Sequence, residues 1–205
     1  RTTYYIGVLD PSRGFVRNSE ASRSLVEYGE RLGKVVDILL HHTGKNKVII
    51  IAHSMGGLVA RSYIKNSGGI NKVDKLIMIG TPNHGFYKED FYNYFVTRVI
   101  NCDYFHPGPE CADIYPGSEF LINLNSGDPT PGDVKYYTIA GDCCDIKGKR
   151  WDQVIRVHSV TLDGAENLVI SKNPIPGSIY TFHTDLVYPD KVPETYNYVI
   201  DFLKS

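Results

Sequence analysis

The 205-residue sequence lacks several features that would point to whole classes of function. It has no excess charge of either sign, since 22 basic and 23 acidic side chains give a formal net charge of -1. A nucleic-acid-binding chain usually carries a basic surplus, so nucleic acid is not an expected partner. No apolar run approaches the ~20 residues that a membrane-spanning helix needs. With 42% hydrophobic residues, the length fits one globular domain over residues 1–205.

Cysteine is also scarce, with four in the chain. Cys102 and Cys111 lie in a segment rich in proline and glycine, where a disulfide would close a small loop. Cys143 and Cys144 are adjacent, a spacing that ordinary disulfide geometry disfavours, so each could instead reach Cys102 or Cys111. A four-thiolate metal site is conceivable, but the spacing is not that of a zinc ribbon. We expect at least one disulfide and hence a secreted or extracytoplasmic protein. Four free thiols in an intracellular protein are the alternative.

The stretch VIIIAHSMGGLVARSYI, residues 48–64, passes from a β-branched run into a serine, two glycines and a helical pattern. The run indicates a strand buried on both faces. The apolar spacing that follows indicates a helix ending near Gly68. A sharp bend at Ser54 requires small residues two positions away on each side, and Ala52 and Gly56 meet that requirement. The sequence therefore predicts a serine exposed at a strand-to-helix turn, facing a helix N-terminus that favours negative charge.

The elements on either side of this turn predict a mostly parallel sheet. Strands over residues 4–9, 48–51 and 75–79 alternate with helices, one of them over residues 19–42 and ending before Gly44. This βαβαβ order places helices on both faces of a parallel sheet. Strands over residues 134–140 and 167–171 and a helix over 192–203 complete the prediction.

An insertion over residues 83–133 interrupts the alternation. It is rich in aromatic residues, proline and glycine, and FYKEDFYNYF carries six aromatic rings in ten residues. A long insertion without periodicity is usually functional, so we expect a lid or cap that would suit an acyl chain or a lipid surface. An aromatic helix packed on the core is the alternative.

A serine hydroxyl needs a general base, and the base needs a carboxylate to orient it. Among seven histidines, only His183 and, less well, His158 leave room in the chain for an acid between nucleophile and base. The resulting order of serine, acid and histidine is that of the α/β-hydrolases. The residues alone do not choose among four aspartates that follow the strand over 134–140. They are Asp142, which is nearest the strand, Asp145, Asp152 and Asp163.

Several segments resemble the secreted bacterial and archaeal lipases of the α/β-hydrolase superfamily. AHSMGGLVARSYI and IGTPNHG resemble the nucleophile segment and its neighbour, and PGSEFLINLN followed by VKYYTIAGD is similar to a segment of many triacylglycerol lipases. WDQVIRVHSVTLDGAENL resembles the acid-bearing segment and FHTDLV the histidine segment. The likeness covers residues 4–203. It implies an α/β-hydrolase fold with Ser54 as nucleophile, Asp152 as acid, with Asp142 the second choice, and His183 as base. It also implies that the Met55 N–H donates to the oxyanion.

Three further residues are expected to line the substrate pocket: His53, His84 and Phe86. Some lipases of this kind hold calcium beside the catalytic histidine, and Asp185 has the offset of that ligand. No other ligand can be named, so we expect neither a metal nor another cofactor, with calcium as the exception to test.

The sequence departs from the resembling lipases at its beginning. These relatives carry an earlier strand ending in His-Gly, and the loop after it supplies a second oxyanion donor, but no such segment precedes residues 4–9. Because a missing strand would expose an apolar sheet edge, we expect a truncated or nicked chain that a separate N-terminal segment or chain completes.

The residues and the resemblance together predict a carboxylic ester hydrolase, most simply a lipase that acts on acylglycerols through an acyl-enzyme. Its partners would be a lipid or small ester and a membrane or lipid-droplet surface. Two alternatives stay open. One is an acyltransferase or thioesterase that uses the same triad. The other is a non-catalytic binding or structural fragment that lacks the oxyanion strand.

Overall fold

In the described residues, the fold contains a four-stranded parallel sheet and two separate two-stranded antiparallel pairs. The computed structural model describes residues 7–10, 14–17, 23–87, 108–146, 148–173 and 182–205. The strands in chain order are β1 (Gly7–Asp10), β2 (Gly14–Arg17), β3 (Val48–His53), β4 (Val73–Ile79), β5 (Lys135–Asp142), β6 (Cys144–Ile146), β7 (Lys149–Trp151) and β8 (Glu166–Ser171). The parallel sheet has the order β3-β4-β5-β8, so the predicted parallel arrangement is confirmed.

Helices lie on both faces of this sheet, as predicted. The helices are α1 (Leu25–Thr43), α2 (Met55–Asn66), α3 (Pro109–Asp113), α4 (Glu119–Asn125), α5 (Val157–Val160), α6 (Phe182–Asp185) and α7 (Pro193–Lys204). Successive side chains of a strand point to opposite faces. Leu76 and Met78 of β4 accordingly pack with Tyr63 of α2, whereas Ile77 of β4 packs with Phe202 of α7 on the other face.

Helix α1 shows how its terminal residues fix its length. The Ser24 side chain accepts a hydrogen bond from the Glu27 N–H (3.3 Å) and caps the first turn. Gly44 adopts the left-handed conformation (φ 64°) and donates its N–H to Leu40 O (3.0 Å). The predicted end of the helix is confirmed. Residues 19–22 of the predicted helix lie outside the described residues, and the prediction is wrong for residues 23 and 24, because the helix begins at Leu25 behind the Ser24 cap.

The first predicted strand does not join the parallel sheet. β1 pairs antiparallel with β2 in a sheet of their own. The prediction placed a strand over residues 4–9 and missed the second strand that follows it. A short connection between two extended runs favours a hairpin over a helical crossover. The first strand of the predicted βαβαβ unit is therefore wrong.

The described part of the aromatic insertion packs on the core. Residues 88–107 lie outside the described residues, and with them most of the predicted acyl-binding stretch. Within α4, Phe120, Leu121 and Leu124 are buried in the same cluster as Leu25 of α1 and Leu58 of α2. The lid over 83–133 stays a prediction. None of the described helices is both long enough and apolar enough to cross a membrane.

Candidate active site

Ser54 lies at the bend between β3 and α2 in a strained backbone conformation (φ 53°, ψ -132°). Non-glycine residues rarely adopt positive φ, and such strain costs about 1–3 kcal/mol unless the surroundings hold it. Two hydrogen bonds hold it here: the Ser54 N–H donates to Ile79 O (2.9 Å), and Ser54 O accepts from the Gly57 N–H (3.0 Å). A Cβ on Gly57 would lie 2.1 Å from Thr81 Oγ1, so glycine permits the close approach of α2 to the loop after β4.

Asp152 and His183 form a buried pair at the carboxyl edge of the sheet. His183 Nδ1 lies 2.7 Å from Asp152 Oδ2, and the two residues are 5% and 0% exposed. A carboxylate only accepts hydrogen bonds, so the proton of a neutral His183 is on Nδ1, and Nε2 is left as the basic nitrogen. The other carboxylate oxygen, Asp152 Oδ1, accepts the N–H groups of Val154 (3.0 Å) and Ile155 (2.6 Å). Every strong contact of this carboxylate therefore fixes its orientation towards the imidazole.

A second set of contacts ties the two chain segments together. The His183 N–H donates to Asp152 O (3.0 Å), and the Phe182 N–H donates to Gln153 Oε1 (2.8 Å). Gln153 itself has positive φ (72°). In the described part of the chain, Ser54 and Gln153 are the non-glycine residues with this conformation. No pattern in the sequence indicated the role of Gln153.

Two glycines at strand ends make room for this pair. Gly80 follows β4 with φ 58°, and a Cβ there would lie 2.8 Å from His183 Cε1 and 2.9 Å from Nδ1. A Cβ on Gly141, in β5, would lie 2.8 Å from the Asp152 Cβ. Both contacts are shorter than side chains tolerate, so any larger residue displaces the pair. The sequence does show a glycine directly after a buried strand, and that signal could have identified Gly80.

His53 contacts the backbone and the ring of His183. Its Nε2 lies 3.0 Å from His183 O, and the two ring centroids are 4.6 Å apart. Because a carbonyl only accepts, His53 Nε2 carries the hydrogen. Burial, with the neighbouring His183, lowers the pKa of His53 from 6.5 to about 4, so the ring is neutral at neutral pH. The sequence analysis assigned this side chain to the substrate pocket. Its contact with His183 was missed.

The three predicted triad residues lie at one edge of the parallel sheet, but a direct hydrogen bond joins only His183 and Asp152 among the described contacts. His53, which precedes Ser54, touches His183, and Ile79, which binds the Ser54 N–H, precedes Gly80 beneath the imidazole. Among the described hydrogen bonds, none joins Ser54 Oγ to the His183 ring. Met55, the predicted oxyanion donor, is the first residue of α2. These assignments stay predictions.

The other predicted acids have different contacts. Asp142 Oδ2 accepts from Arg150 Nε (2.8 Å) and from Ser171 Oγ (3.0 Å). Asp145 Oδ1 accepts the Gly148 N–H (2.7 Å), and Asp163 is exposed. Of the four aspartates left open by the sequence, Asp152 is therefore the one that contacts His183.

The remaining predicted pocket residues are spread out. His84 is exposed, and Phe86 is buried in the core cluster of α1 and α2. His158, the second choice of base, lies in α5, where its ring Nε2 is 3.2 Å from Tyr87 Oη.

Asp185, the candidate calcium ligand, is buried, and calcium binding there stays a prediction. Its carboxylate is 1% exposed and pairs with Lys191 Nζ (2.8 Å). Calcium prefers six or more oxygen ligands. In the described ranges, no group of three or more His, Cys, Asp or Glu side chains is arranged to hold a metal ion. The pairing with Lys191 gives the Asp185 carboxylate a cationic partner without a metal ion.

The cysteines separate into two sets. Cys143 and Cys144 are free thiols, so neither makes the alternative pairing with Cys102 or Cys111. Cys111 is fully buried. Cys102 lies outside the described residues, and the disulfide predicted between Cys102 and Cys111 therefore stays a prediction.

Strand β3 forms one edge of the parallel sheet in the part of the chain that the structure describes. Its Ile49 and Ile51 are 41% and 50% exposed. An apolar edge of this kind normally pairs with another strand or is covered. The expectation that a separate N-terminal segment or chain completes the sheet stays a prediction.

Comparisons with known proteins give the same fold. Residues 24–99 match the family described as PGAP1-like alpha/beta domain. The mature form of Bacillus licheniformis lipase BlEst2 has a TM-score of 0.63 at 17% identity, over 85% of this chain and 76% of that protein. Legionella pneumophila phospholipase PlaB has a TM-score of 0.53 at 19% identity, over 67% of this chain and 34% of PlaB. Aspergillus fumigatus lipase B has a TM-score of 0.53 at 18% identity, over 72% of this chain and 34% of that protein.

The chain thus spans about three quarters of one of these proteins and about a third of the other two. All the identities are low, so the likeness bears on the fold. The sequence-based assignment is confirmed at that level: the chain has a partial α/β-hydrolase fold.

Proposed function

We propose that the chain is the catalytic part of a carboxylic ester hydrolase with Ser54, His183 and Asp152 as its triad. The observation that carries the proposal is the buried Asp152–His183 pair, at the sheet edge where the strained Ser54 begins α2. The lipase and phospholipase neighbours support the same chemistry.

Each residue has one task in the proposed reaction. Ser54 Oγ attacks the ester carbonyl carbon while its proton passes to His183 Nε2. The resulting oxyanion faces the N-terminus of α2, where the Met55 N–H donates to it. When the C–O bond to the alcohol breaks, His183 returns the proton to the leaving oxygen. Water, deprotonated by the same Nε2, then attacks the acyl-enzyme and releases the acid.

Asp152 supports the cation that forms on His183 during each proton transfer. The carboxylate has no exposed surface, so its attraction to the imidazolium is little screened by water. Its two backbone hydrogen bonds prevent it from turning away. The environment is thus organised before the reaction begins, which is how such sites lower a barrier.

We extend the proposal to the substrate class. Two neighbours are named lipases, which supports an acylglycerol substrate and work at a lipid surface. A secreted or extracytoplasmic setting is part of this proposal. Rates on p-nitrophenyl esters of increasing chain length, and on emulsified triacylglycerol, test it. Rates that fall with chain length, with no hydrolysis of the emulsion, would point to a short-chain esterase instead.

One observation favours a second candidate. The unpaired edge of β3 in the described residues is where a strand that supplies a second oxyanion donor would lie. If nothing supplies that strand, the chain is a non-catalytic binding or structural fragment with the motif retained.

A fluorophosphonate probe separates the two candidates. Such probes phosphonylate serines that a neighbouring base activates. Labelling of the wild-type chain that is lost in Ser54→Ala and His183→Ala, with Ser62→Ala as the matched control on the same helix, supports the hydrolase. Absence of labelling in a chain shown to be folded by circular dichroism, together with no ester hydrolysis, supports the second candidate.

A further inference from the structure

Two adjacent thiols lie beside the segment that carries Asp152. Cys143 and Cys144 stand between β5 and β6, and their Sγ atoms are 2.7 Å apart. Both thiols are free and half-buried. The proposed ester hydrolysis uses neither of them.

The pair opens to solvent through a cavity of about 580 Å³. Arg150 and Lys172 contribute cations to its wall, and Asp142 and Asp145 contribute carboxylates. Pockets of this size hold small molecules. A low-molecular-weight disulfide can therefore reach the thiols without unfolding the chain.

The thiols are coupled to Asp152 through Trp151. The Cys143 N–H donates to Trp151 O (3.1 Å), and Cys143 Sγ lies 3.6 Å from the same oxygen. Cys144 pairs with Trp151 in the β6–β7 hairpin. Asp152 is the next residue, so a movement of the two cysteines is transmitted to the carboxylate that holds His183.

We propose that Cys143 and Cys144 form a vicinal dithiol, that exchange with a low-molecular-weight disulfide closes it to a ring disulfide, and that closure displaces Asp152. The first part is independent of the proposed function. The second part rests on it.

The exchange proceeds in two balanced steps. The Cys144 thiolate attacks one sulfur of the small disulfide, forms a mixed disulfide and releases one small thiolate. The Cys143 sulfur then attacks Cys144 Sγ, loses its proton to solvent and releases the second small thiol. The protein loses two electrons and two protons, and the small disulfide becomes two thiols.

The chemistry of Cys143 fits this order. Burial, with Cys144 and the Asp152 carboxylate nearby, raises the pKa of the Cys143 thiol well above its usual value. Attack on an external disulfide requires a thiolate, so Cys144 reacts first. Cys143 then acts within the same molecule, where proximity offsets its poor ionisation.

Ring closure requires the backbone to move. Alpha carbons joined by a trans peptide are about 3.8 Å apart, whereas ordinary disulfides join alpha carbons about 4.4–6.8 Å apart. The peptide between the two cysteines must therefore twist, and its hydrogen-bonded neighbour Trp151 must follow. A disulfide under such constraint is readily reduced, which makes the change reversible.

The sequence provides two direct readouts. Trypsin releases residues 136–147 as one peptide that contains both cysteines and neither Cys102 nor Cys111. Trp151 is the sole tryptophan, so intrinsic fluorescence reports on the neighbourhood of the two thiols.

The test treats the folded chain with oxidised glutathione and then with iodoacetamide. We expect a wild-type 136–147 peptide that has lost two hydrogens, carries no glutathione and resists alkylation, together with a change in Trp151 fluorescence that dithiothreitol reverses. Cys143→Ser and Cys144→Ser remove the ring, and Cys143→Ser keeps a stable glutathione adduct. A wild-type peptide that stays alkylated, or that keeps glutathione, overturns the site.

Ester hydrolysis, measured in parallel, tests the second part. We expect oxidation to lower the wild-type rate by roughly 10- to 100-fold, the scale of a small displacement at a catalytic centre. The double variant Cys143→Ser/Cys144→Ser should keep its rate under the same treatment. Ring closure with an unchanged rate overturns the link to Asp152. Ring closure in a chain that never hydrolyses esters overturns the proposed function and leaves the dithiol site standing.

Discussion

Replacement of Gly80 by alanine is the most specific test of the site, because two effects of one methyl group can be separated. Gly80 has φ 58°, in the left-handed region, where a side chain costs about 1–2 kcal/mol. The new Cβ would also lie 2.8 Å from His183 Cε1, where ordinary contact begins at 3.4 Å. The imidazole must therefore retreat by roughly half an ångström or more, since β4 is held by its neighbours on both sides and the ring is the freer partner.

That retreat acts on the base and its acid together. His183 Nδ1 would lie 2.9 Å from the new Cβ while it is bonded to Asp152 at 2.7 Å. A misplacement of about 1 Å at a catalytic centre can cost about 100-fold in rate. We expect kcat/KM of Gly80→Ala on p-nitrophenyl butyrate to fall by about that factor or more, while the free energy of unfolding in urea falls by about 2 kcal/mol.

Gly44→Ala is the matched control. Gly44 has nearly the same φ (64°) at the end of α1, but a Cβ there meets nothing within 4 Å. We expect it to lose about 1 kcal/mol of stability from backbone strain and to keep the wild-type rate. If Gly80→Ala is folded and hydrolyses the ester as fast as Gly44→Ala, the imidazole beside Gly80 is not the working base and the triad proposal fails.

Three further perturbations follow from single contacts. Asp152→Asn should lower kcat by about 10,000-fold with the fold retained, whereas Asp142→Asn should leave the rate unchanged; the reverse ranking in steady-state assays would exchange their roles. His53 binds its proton near pH 6.5 when unfolded but only near 4 when folded. The unfolded chain therefore binds more protons between these values, and the free energy of unfolding should fall by up to about 3 kcal/mol as the pH drops through that window. His53→Gln, compared by urea unfolding at about pH 7 and about pH 4.5, should lose that part of the dependence, and an undiminished slope would exclude His53 as its source. Arg61→Met should cost about 3 kcal/mol in chemical denaturation, more than the half-exposed Lys65→Met, because it removes a guanidinium that donates to four acceptors, two of them through buried hydrogen bonds; equal costs would contradict this account.

The nucleophile turn was predictable because everything it needs is local. The β-branched run, the small residues Ala52 and Gly56 and the helical spacing all lie within a few residues of Ser54. The parallel sheet followed from the alternation of such runs with helices. The first strand was misassigned because strand pairing is not a local property. A short extended run does not show whether its partner is the next strand or a distant one.

The choice of the catalytic aspartate shows what the local sequence pattern does not determine. Four aspartates follow β5, and their side chains are chemically identical. What separates Asp152 from Asp142 is the path of the chain through the β6–β7 hairpin, which turns one carboxylate towards His183 and the other towards Arg150. Likeness to lipases selected Asp152 from the sequence, and the residues alone did not.

The remaining contacts join residues far apart in the chain and leave no trace in periodicity. His53 lies 130 positions from the His183 carbonyl that it binds, and Arg61 lies 63 positions from Leu124. Both contacts join a largely buried polar side chain to a distant carbonyl, and a single sequence cannot reveal which carbonyl that is. Burial makes such groups costly unless the partner is present, so their positions follow from the tertiary fold.

Several residues of the site adopt backbone conformations that their residue types disfavour. Ser54 and Gln153 adopt positive φ without being glycine, and Gly80 is needed because an imidazole occupies the space of a side chain. Strain of this kind persists only where the surrounding contacts determine the conformation. The contacts that do so here are the Ser54 bond to β4 and the double connection between the Asp152 and His183 segments. Because His53, which precedes Ser54, also binds the His183 carbonyl, a hydrogen bond joins the strained serine turn to the acid-base pair. A change that relaxes one should therefore loosen the other, and stability and activity should respond together at this edge of the sheet.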